Sequence, residues 1–452
     1  MVTALSPWIP MLACWLLACA PDELAVGSVD TEPGSAETGD AAVAFEPVQN
    51  VVFILVDTLR ADHLGVYGYA RDTSPVLNAL AADAQVFERY RSQSAYTISS
   101  VSSLFTSLHP SAHGCCENFL SKTGDEPESP VNMDLRLATL AERFDGAGYD
   151  TAALYKTNVF NREGVDQGFD VFTQVAGDDT ALESAAQLTD AAVEYLGEDR
   201  NEPFFLYLHY MDPHAAYVAP EPYREVFDEG YDSTLEGQQH ELKAVQAEYG
   251  TLYDDEDVQR LIALYDGEIR YLDSNLGRLW DALEPHLEHT AVVFVGDHGE
   301  GFYDHEVMGH DNMYEEHLAV PLLIWVPGVD GARRTGRVEG IDLAPTLAGL
   351  AGLEPEVSWL GRDLSASLHS GERIEDPEFV FTEFKAKQAI YRNDGLKLIL
   401  NDGPAMLFDV DADPGELVDL AGGRPDDVDA MRSKAEELLL VAEGLYEAMR
   451  EE

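Results

Sequence analysis

Basic residues are scarce in this chain of 452: Lys and Arg total 28 against 84 Asp and Glu, a formal net charge of −56. Such a surface repels phosphate backbones and anionic lipids, which excludes nucleic-acid binding and basic-patch docking to membranes. Cysteine is scarce as well. Four half-cystines, Cys14, Cys19, Cys115 and Cys116, make no disulfide framework, and the adjacent Cys115 and Cys116 are read as two thiols. The apolar run Trp8–Ala18 falls short of the roughly 20 residues that span a bilayer, and Pro10 interrupts it. No later segment reads as transmembrane, and there is no internal repeat. What is present is an ordinary globular composition, 45% hydrophobic and 25% charged, which excludes a disordered or fibrous chain. The acidity sets a condition: any anionic substrate needs a locally positive pocket, most simply one built around a metal ion.

Residues 1–18 carry no charged side chain, and their short apolar run reads as the core of a secretory signal. Leu16-Leu17-Ala18-Cys19 resembles a bacterial lipobox, in which the cysteine is lipidated, although no Lys or Arg precedes the run. From Ala20 to Pro47 there are seven acids and no Lys or Arg, a composition that buries too little apolar area to order itself. The expected organisation is therefore a signal over 1–19, a flexible acidic linker over 20–47, a large catalytic body over 48–375, and a smaller α+β lobe over 376–452. The expected location is the cell envelope, exported and anchored through Cys19, with Ala20 after the cysteine pointing to the outer membrane.

Val51–Val56 is a β-branched apolar run of the kind buried on both faces of a parallel sheet; Ala291–Val295, Phe204–Leu208 and Val320–Val326 repeat it. Helical patterns over Ser74–Ala84, Leu135–Ala147, Asp179–Leu196 and Asp257–Leu283 separate them. The alternation predicts an α/β fold, a large and mostly parallel sheet sandwiched by helices. Short alternating segments at Phe379–Phe384, Gln388–Arg392 and Leu396–Leu400, then an amphipathic stretch over Asp426–Met449, predict a small antiparallel sheet with a terminal helix.

Ligands in such sheets bind beyond the carboxyl ends of the strands, and polar residues directly follow the apolar runs. Asp57 follows the first, Asp212 and His214 follow Phe204–Leu208, and Asp297-His298-Gly299 follow Ala291–Val295, with Gly299 read as permitting a tight turn. Asp57, Asp297 and His298 together make a plausible divalent-metal set. Ile98, Val101, Leu104, Phe105 and Leu108 share one helical face, so a helix starts near Thr97 and its amide end suits an oxyanion. Two roles fit Thr97: a helix cap, or a hydroxyl activated as a nucleophile. His63, His109, His113 and His305 show no convergent partner and are read as structural, and Arg60 as paired with a nearby acid.

Asn50–Gly65, Thr73–Leu80, Tyr265–Asp273, Gly296–Glu300, Gly309-His310 with Tyr314-Glu315, Ile341–Thr346 and Leu407–Glu416 together resemble the sulfatase family of the alkaline phosphatase superfamily, in family order from about 49 to 445. The resemblance implies metal ligands at Asp57, Asp297 and His298 with Thr97 touching the metal, and a nucleophile at Thr97. It implies a leaving-group acid at His214, and Lys156 and His310 against the anion, with Asn158 where a histidine is frequent. Sulfatases proper use Cys or Ser, oxidised to formylglycine and followed by Pro-Ser-Arg; this chain has Thr97-Ile-Ser-Ser-Val101, and Thr58 replaces the second carboxylate of the usual Asp-Asp pair. The implied cofactor is one divalent ion, with Mn or Zn favoured over Ca because carboxylates are fewer.

A sulfatase-like, metal-dependent hydrolase of sulfate or phosphate esters is thus the main expectation, acting on a small-molecule, glycan or lipid ester. A phosphodiesterase or lipid-headgroup phosphotransferase of the same superfamily is its alternative. A catalytically silent envelope protein that binds anionic ligands is the reading from another class. Mass spectrometry of the mature N-terminus is expected to find an acylated Cys19; an unmodified Cys19, or cleavage elsewhere, contradicts the anchor.

Overall fold

The computed structural model describes residues 45–115, 132–157, 160, 164–175, 184–198, 203–228, 230–238, 241–242, 254–310 and 312–451. Cys14, Cys19, Cys116, Asn158 and nearly all of the acidic linker lie outside them. Eight strands form one sheet: β1 Asn50–Val56, β2 Gln85–Phe87, β3 Asp150–Tyr155, β4 Val171–Gln174, β5 Phe204–Tyr210, β6 Thr290–Gly296, β7 Leu322–Trp325 and β8 Ala332–Arg334. Their order is β8-β2-β7-β6-β1-β5-β3-β4. All neighbours are parallel except around β7, which runs antiparallel to both β6 and β2. The predicted α/β sandwich is what forms. An apolar run buried on both faces does not encode its direction, so the reversal of β7 is legible only in three dimensions. Its effect is local: the chain leaving β6 re-enters the sheet from the same end.

β1 shows why these segments are apolar without alternation. Val51, Phe53 and Leu55 enter one core with α2 Thr97–Thr106, α3 Leu140–Asp145 and α7 Leu343–Leu350. Val52, Ile54 and Val56 enter the opposite core with α1 Pro75–Leu80, α4 Ser184–Leu196 and α5 Asp255–Leu283. Each side chain buried in this way contributes about 1.5–3 kcal/mol. The helix expected over Leu135–Ala147 shrinks to α3, because Thr139 accepts from Glu142 N while Glu142 returns a bond to Thr139 N, a capping box that starts the helix there. Asp254 similarly caps α5 through the amides of Glu256 and Asp257.

A second, antiparallel sheet follows in simple order, from β9 Phe379–Phe384 and β10 Lys387–Arg392 to β11 Leu396–Leu400 and β12 Met406–Asp409. One face packs Val380, Phe384, Tyr391 and Phe408 with Ala95, Met313 and Leu318 of the large body. The other packs Phe381, Ile390 and Leu398 with Met431 and Ala435 of α8 Pro425–Glu451. Between body and lobe lies a buried ion cluster. Lys397 Nζ is 3.0 Å from Glu315 Oε1 and 2.8 Å from Glu416 Oε1. Arg91 also pairs with Glu315, Tyr391 Oη donates to Glu315 at 2.7 Å, and Glu416 Oε2 accepts the Glu315 amide at 2.6 Å. Burial alone would lower the pKa of Lys397, but the two carboxylates reverse that and raise it. Burial pushes Glu416 up to about 7 even so. Glu315 opens α6 Glu315–Leu318, so the cluster joins the lobe to the chain that returns from β6. Lys397→Met strips the shared cation from two buried carboxylates and is expected to destabilise the protein by about 3–5 kcal/mol in denaturant unfolding. A loss below about 1 kcal/mol would show that the cluster contributes specificity rather than stability.

Candidate active site

The site is assembled by strand register. Val56 of β1 sits opposite Tyr210 of β5 and Gly296 of β6, so three neighbouring strands end together. The amide of Asp57 donates to Tyr210 O at 2.9 Å and that of Asp297 to Val56 O at 3.3 Å, which carries the register one residue past the strands. Asp57, His209 and Asp297, all buried, each offer one ligand atom, with the three atoms within 4.8 Å of one another. His209 was not anticipated. By apolarity the run before it ends at Leu208, and only the pairing of His209 with Leu55 shows that it reaches the same strand end.

The carboxylates are held by their surroundings. Asp297 Oδ1 accepts from the amides of His298 at 2.7 Å and Thr58 at 3.1 Å, while its carbonyl accepts from Ser100 Oγ at 2.8 Å and from Ser92 Oγ. Thr58 has φ of +53°, and Tyr265 Oη pins that turn by donating to Thr58 O at 2.7 Å and accepting from Arg60 N at 3.0 Å. His209 Nε2 lies 3.3 Å from Asp57 Oδ2, with Tyr207 Oη at 3.0 Å on its other nitrogen. Asp57 Oδ1 and Asp297 Oδ2 are buried and have no hydrogen-bond partner among the described residues. Burial opposes charge on Asp57, but His214, His209 and His298 outweigh it and hold the carboxyl well below the usual range. Asp297 goes the other way, driven far up by burial and by the charge of Asp57. Two buried carboxylates with orphaned oxygens and an imidazole suit a hard or borderline divalent cation, the missing charge that lets both ionise.

Thr97 stands beside this set. Its Oγ1 is 3.4 Å from Asp57 Oδ2 and 3.3 Å from His298 Nε2. It opens α2, yet Tyr96 occupies the N-cap and no side chain caps the helix, so capping is not what the hydroxyl does. His298 Nδ1 lies 3.0 Å from Gly299 O, which places its proton there and leaves Nε2 as the acceptor. Burial, with His310 adding to it, pushes His298 down to about 3, so this imidazole is neutral. His298 Nε2 is 3.5 Å from Asp297 Oδ2 and 3.7 Å from Asp57 Oδ1, whereas the three-residue cluster is completed by His209. Gly299 is required for a different reason than a turn: a Cβ there would fall 1.9 Å from Glu316 O.

His214 and His310 come in over the cluster. The His310 ring is 4.6 Å from that of His298 and 5.6 Å from that of His214. Glu300, unassigned from sequence, fixes this side. Its Oε1 is 3.4 Å from His310 Nδ1 and its Oε2 accepts from Tyr217 Oη at 3.2 Å. Burial would raise the pKa of Glu300, but the bond to His310 keeps it below the usual value. Lys156, fully buried at the end of β3, donates to Gln187 Oε1 at 2.6 Å, and its charge acts on Asp212. The other singled-out residues have structural partners. His63 Nδ1 meets Asp266 at 2.7 Å, His113 Nε2 lies 3.0 Å from Ser103 Oγ, His305 Nδ1 lies 2.8 Å from Glu316, and His109 packs edge-on against Phe381. Arg60 pairs with Asp62 at 2.7 Å and Asp304 at 2.9 Å, and Cys115 is buried, its carbonyl accepting from Ser99 Oγ at 2.9 Å.

A family model described as Sulfatase matches residues 49–353, which spans both the strand ends and α2. The chain belongs to the sulfatase family. An arylsulfatase of Clostridium perfringens is 25% identical over 442 residues, covering 82% of this chain and 90% of the relative. Among solved structures, the phosphonate monoester hydrolase of Agrobacterium radiobacter superposes with a TM-score of 0.71 at 22% identity, covering 88% of this chain and 96% of the other. A protein solved with its substrate D-glucosamine-2-N,6-O-disulfate superposes at 0.72 with 18% identity, covering 89% and 99%. The two superpositions establish the fold. As a sulfatase-family enzyme the chain is a hydrolase of sulfuric or phosphoric esters. In this sulfatase-family chain the strand-end carboxylates, the helix-opening hydroxyl and four histidines share one end of the sheet.

Proposed function

We propose that this sulfatase-family enzyme hydrolyses phosphate or sulfate monoesters with Thr97 as its nucleophile, a divalent cation being held by Asp57, His209 and Asp297. The observation that carries the reading is Thr97 Oγ1, poised between Asp57 Oδ2 and His298 Nε2 at the amide end of α2. When bound, the cation, Mn or Zn before Ca given two carboxylates and an imidazole, supplies positive charge that polarises the ester. Asp57 Oδ2 and His298 Nε2 flank the Thr97 hydroxyl and orient it, its proton passing to solvent as Oγ1 attacks. The free amides that open α2 face the charge that builds on the ester oxygens. His214, whose Nδ1 is bound at 2.8 Å to Ala215 O, delivers a proton from Nε2 to the leaving oxygen. His310, steadied by Glu300, lies against the anion. Lys156 acts from behind Asp212.

The intermediate on Thr97 is an ordinary ester, with no aldehyde hydrate to collapse, so a water or an acceptor alcohol must displace the group from Oγ1. Phosphoryl groups undergo that displacement readily, and this favours phosphate over sulfate and keeps transfer to an alcohol within reach. The relatives are compatible with either atom, since one is named an arylsulfatase and another a phosphonate monoester hydrolase. The sulfated-sugar neighbour supports a glycan ester among the substrates. Export with an acyl anchor at Cys19 would hold the enzyme in the cell envelope. Among the described residues no helix is long and apolar enough to cross a membrane.

Elemental analysis is expected to find about one divalent ion per chain in the wild type and none in Asp57→Ala, His209→Ala or Asp297→Ala. Full retention in His209→Ala would overturn the ligand set. Thr97→Ala is expected to lose several orders of magnitude in turnover on paired aryl phosphate and aryl sulfate while keeping its fold and metal. Thr97→Ser should keep part of the rate. A capping hydroxyl would instead cost about 0.5–2 kcal/mol of stability with activity following folded protein; near-wild-type turnover in Thr97→Ala removes the mechanism.

A further inference from the structure

The segment 212–219, which carries His214, is bound to α5 at Val218 and faces the same α5 side chain again at Asp212. Near its far end, the Val218 amide donates to Glu268 Oε1 at 2.5 Å, and the Ala219 amide also faces this carboxyl. At its start, the Asp212 carboxylate faces the Glu268 carboxyl, and each shifts the other's ionisation. Both acids are buried, and Asp212 Oδ2 has no hydrogen-bond partner among the described residues. Glu268 stands near the middle of α5, a helix of 29 residues, and is therefore mounted on a rigid element. Between its ends the segment is held by backbone bonds, His214 N to Met211 O at 2.5 Å and Tyr217 N to Gly237 O at 2.9 Å.

We propose that Glu268 is a positioning residue: by bridging both ends of 212–219 it sets the direction from which His214 reaches the leaving oxygen. This rests on the reading of His214 as the proton donor. The chemistry of the bridge explains the residue type. One side chain must donate to a carboxylate at one end and accept from amides at the other, and a protonated carboxyl does both. Burial lifts Asp212 to about 6, and burial with the charge of Asp212 drives Glu268 well above the usual range, so the shared proton stays on Glu268. The charge that faces the pair is that of Lys156, which favours an ionised Asp212. Glutamine offers the same donor and acceptor without the charge; methionine fills the space and offers neither.

A donor that is out of line slows esters of basic leaving groups far more than those of activated ones, because the latter depart without a proton. The metal-loaded full chain is therefore assayed on aryl esters, phosphate or sulfate as the wild type prefers, from nitrophenyl to unsubstituted phenyl. H214A is the reference and is expected to lose about a hundredfold more rate on the phenyl ester than on the nitrophenyl ester. E268M is expected to show the same steepening with KM little changed, E268Q to restore the wild-type profile, and H214A/E268M to be no worse than H214A. D212A, which removes one tie only, should steepen less, and it provides the test if E268M does not fold. A uniform loss across the series in E268M, or in D212A where that serves, overturns the proposal while H214A remains steep. A flat profile in H214A itself overturns the assignment of His214, and with it the proposal.

Discussion

Asp57 and Asp297 sit at the ends of adjacent parallel strands, buried, close enough that ionising one opposes ionising the other. The rest of the site answers this constraint. Amides satisfy one carboxylate oxygen of Asp297, imidazoles stabilise Asp57, and one oxygen of each has no hydrogen-bond partner among the described residues. An arrangement of that kind is costly in an apolar interior unless a cation completes it. It also supplies what the sequence composition demands, a positive locus inside a chain of net charge −56.

The scarcity of cations gives the remaining ones specific places. Arg91 and Lys397 are buried among carboxylates where the C-terminal lobe meets the body, and Lys156 is buried behind Asp212. The lobe cluster and the Glu268 bridge are similar in design: each brings chain segments far apart in sequence onto a shared buried proton or ammonium near a segment that carries a site histidine. Replacing one partner in such a cluster leaves another unpaired, so its members are coupled rather than additive.

The reversal of β7 matters for the same site. Because the chain turns back after β6 without crossing a sheet face, residues 297–319 stay at the carboxyl ends of the central strands. Asp297, His298, Glu300, His310 and Glu315 thereby come from one continuous stretch. Its close packing requires Gly299, where a side chain would strike Glu316 O.

The amino-acid sequence by itself determined the sheet, the helices and the strand-end carboxylates. Apolar periodicity is a local property that survives without knowledge of neighbours, as Val51–Val56 and Ala291–Val295 illustrate. It also placed Thr97 at the start of a helix, through the spacing of Ile98, Val101 and Leu104. The strand direction of β7 was not legible, nor was the shortening of α3 expected from periodicity alone. His209 escaped because a histidine continuing an apolar strand looks like core until parallel register sets it beside Asp57. Glu268, Glu300 and Lys397 likewise acquire roles only from partners tens to hundreds of residues away. Their pairing is decided by how the layers stack, a property no local pattern contains.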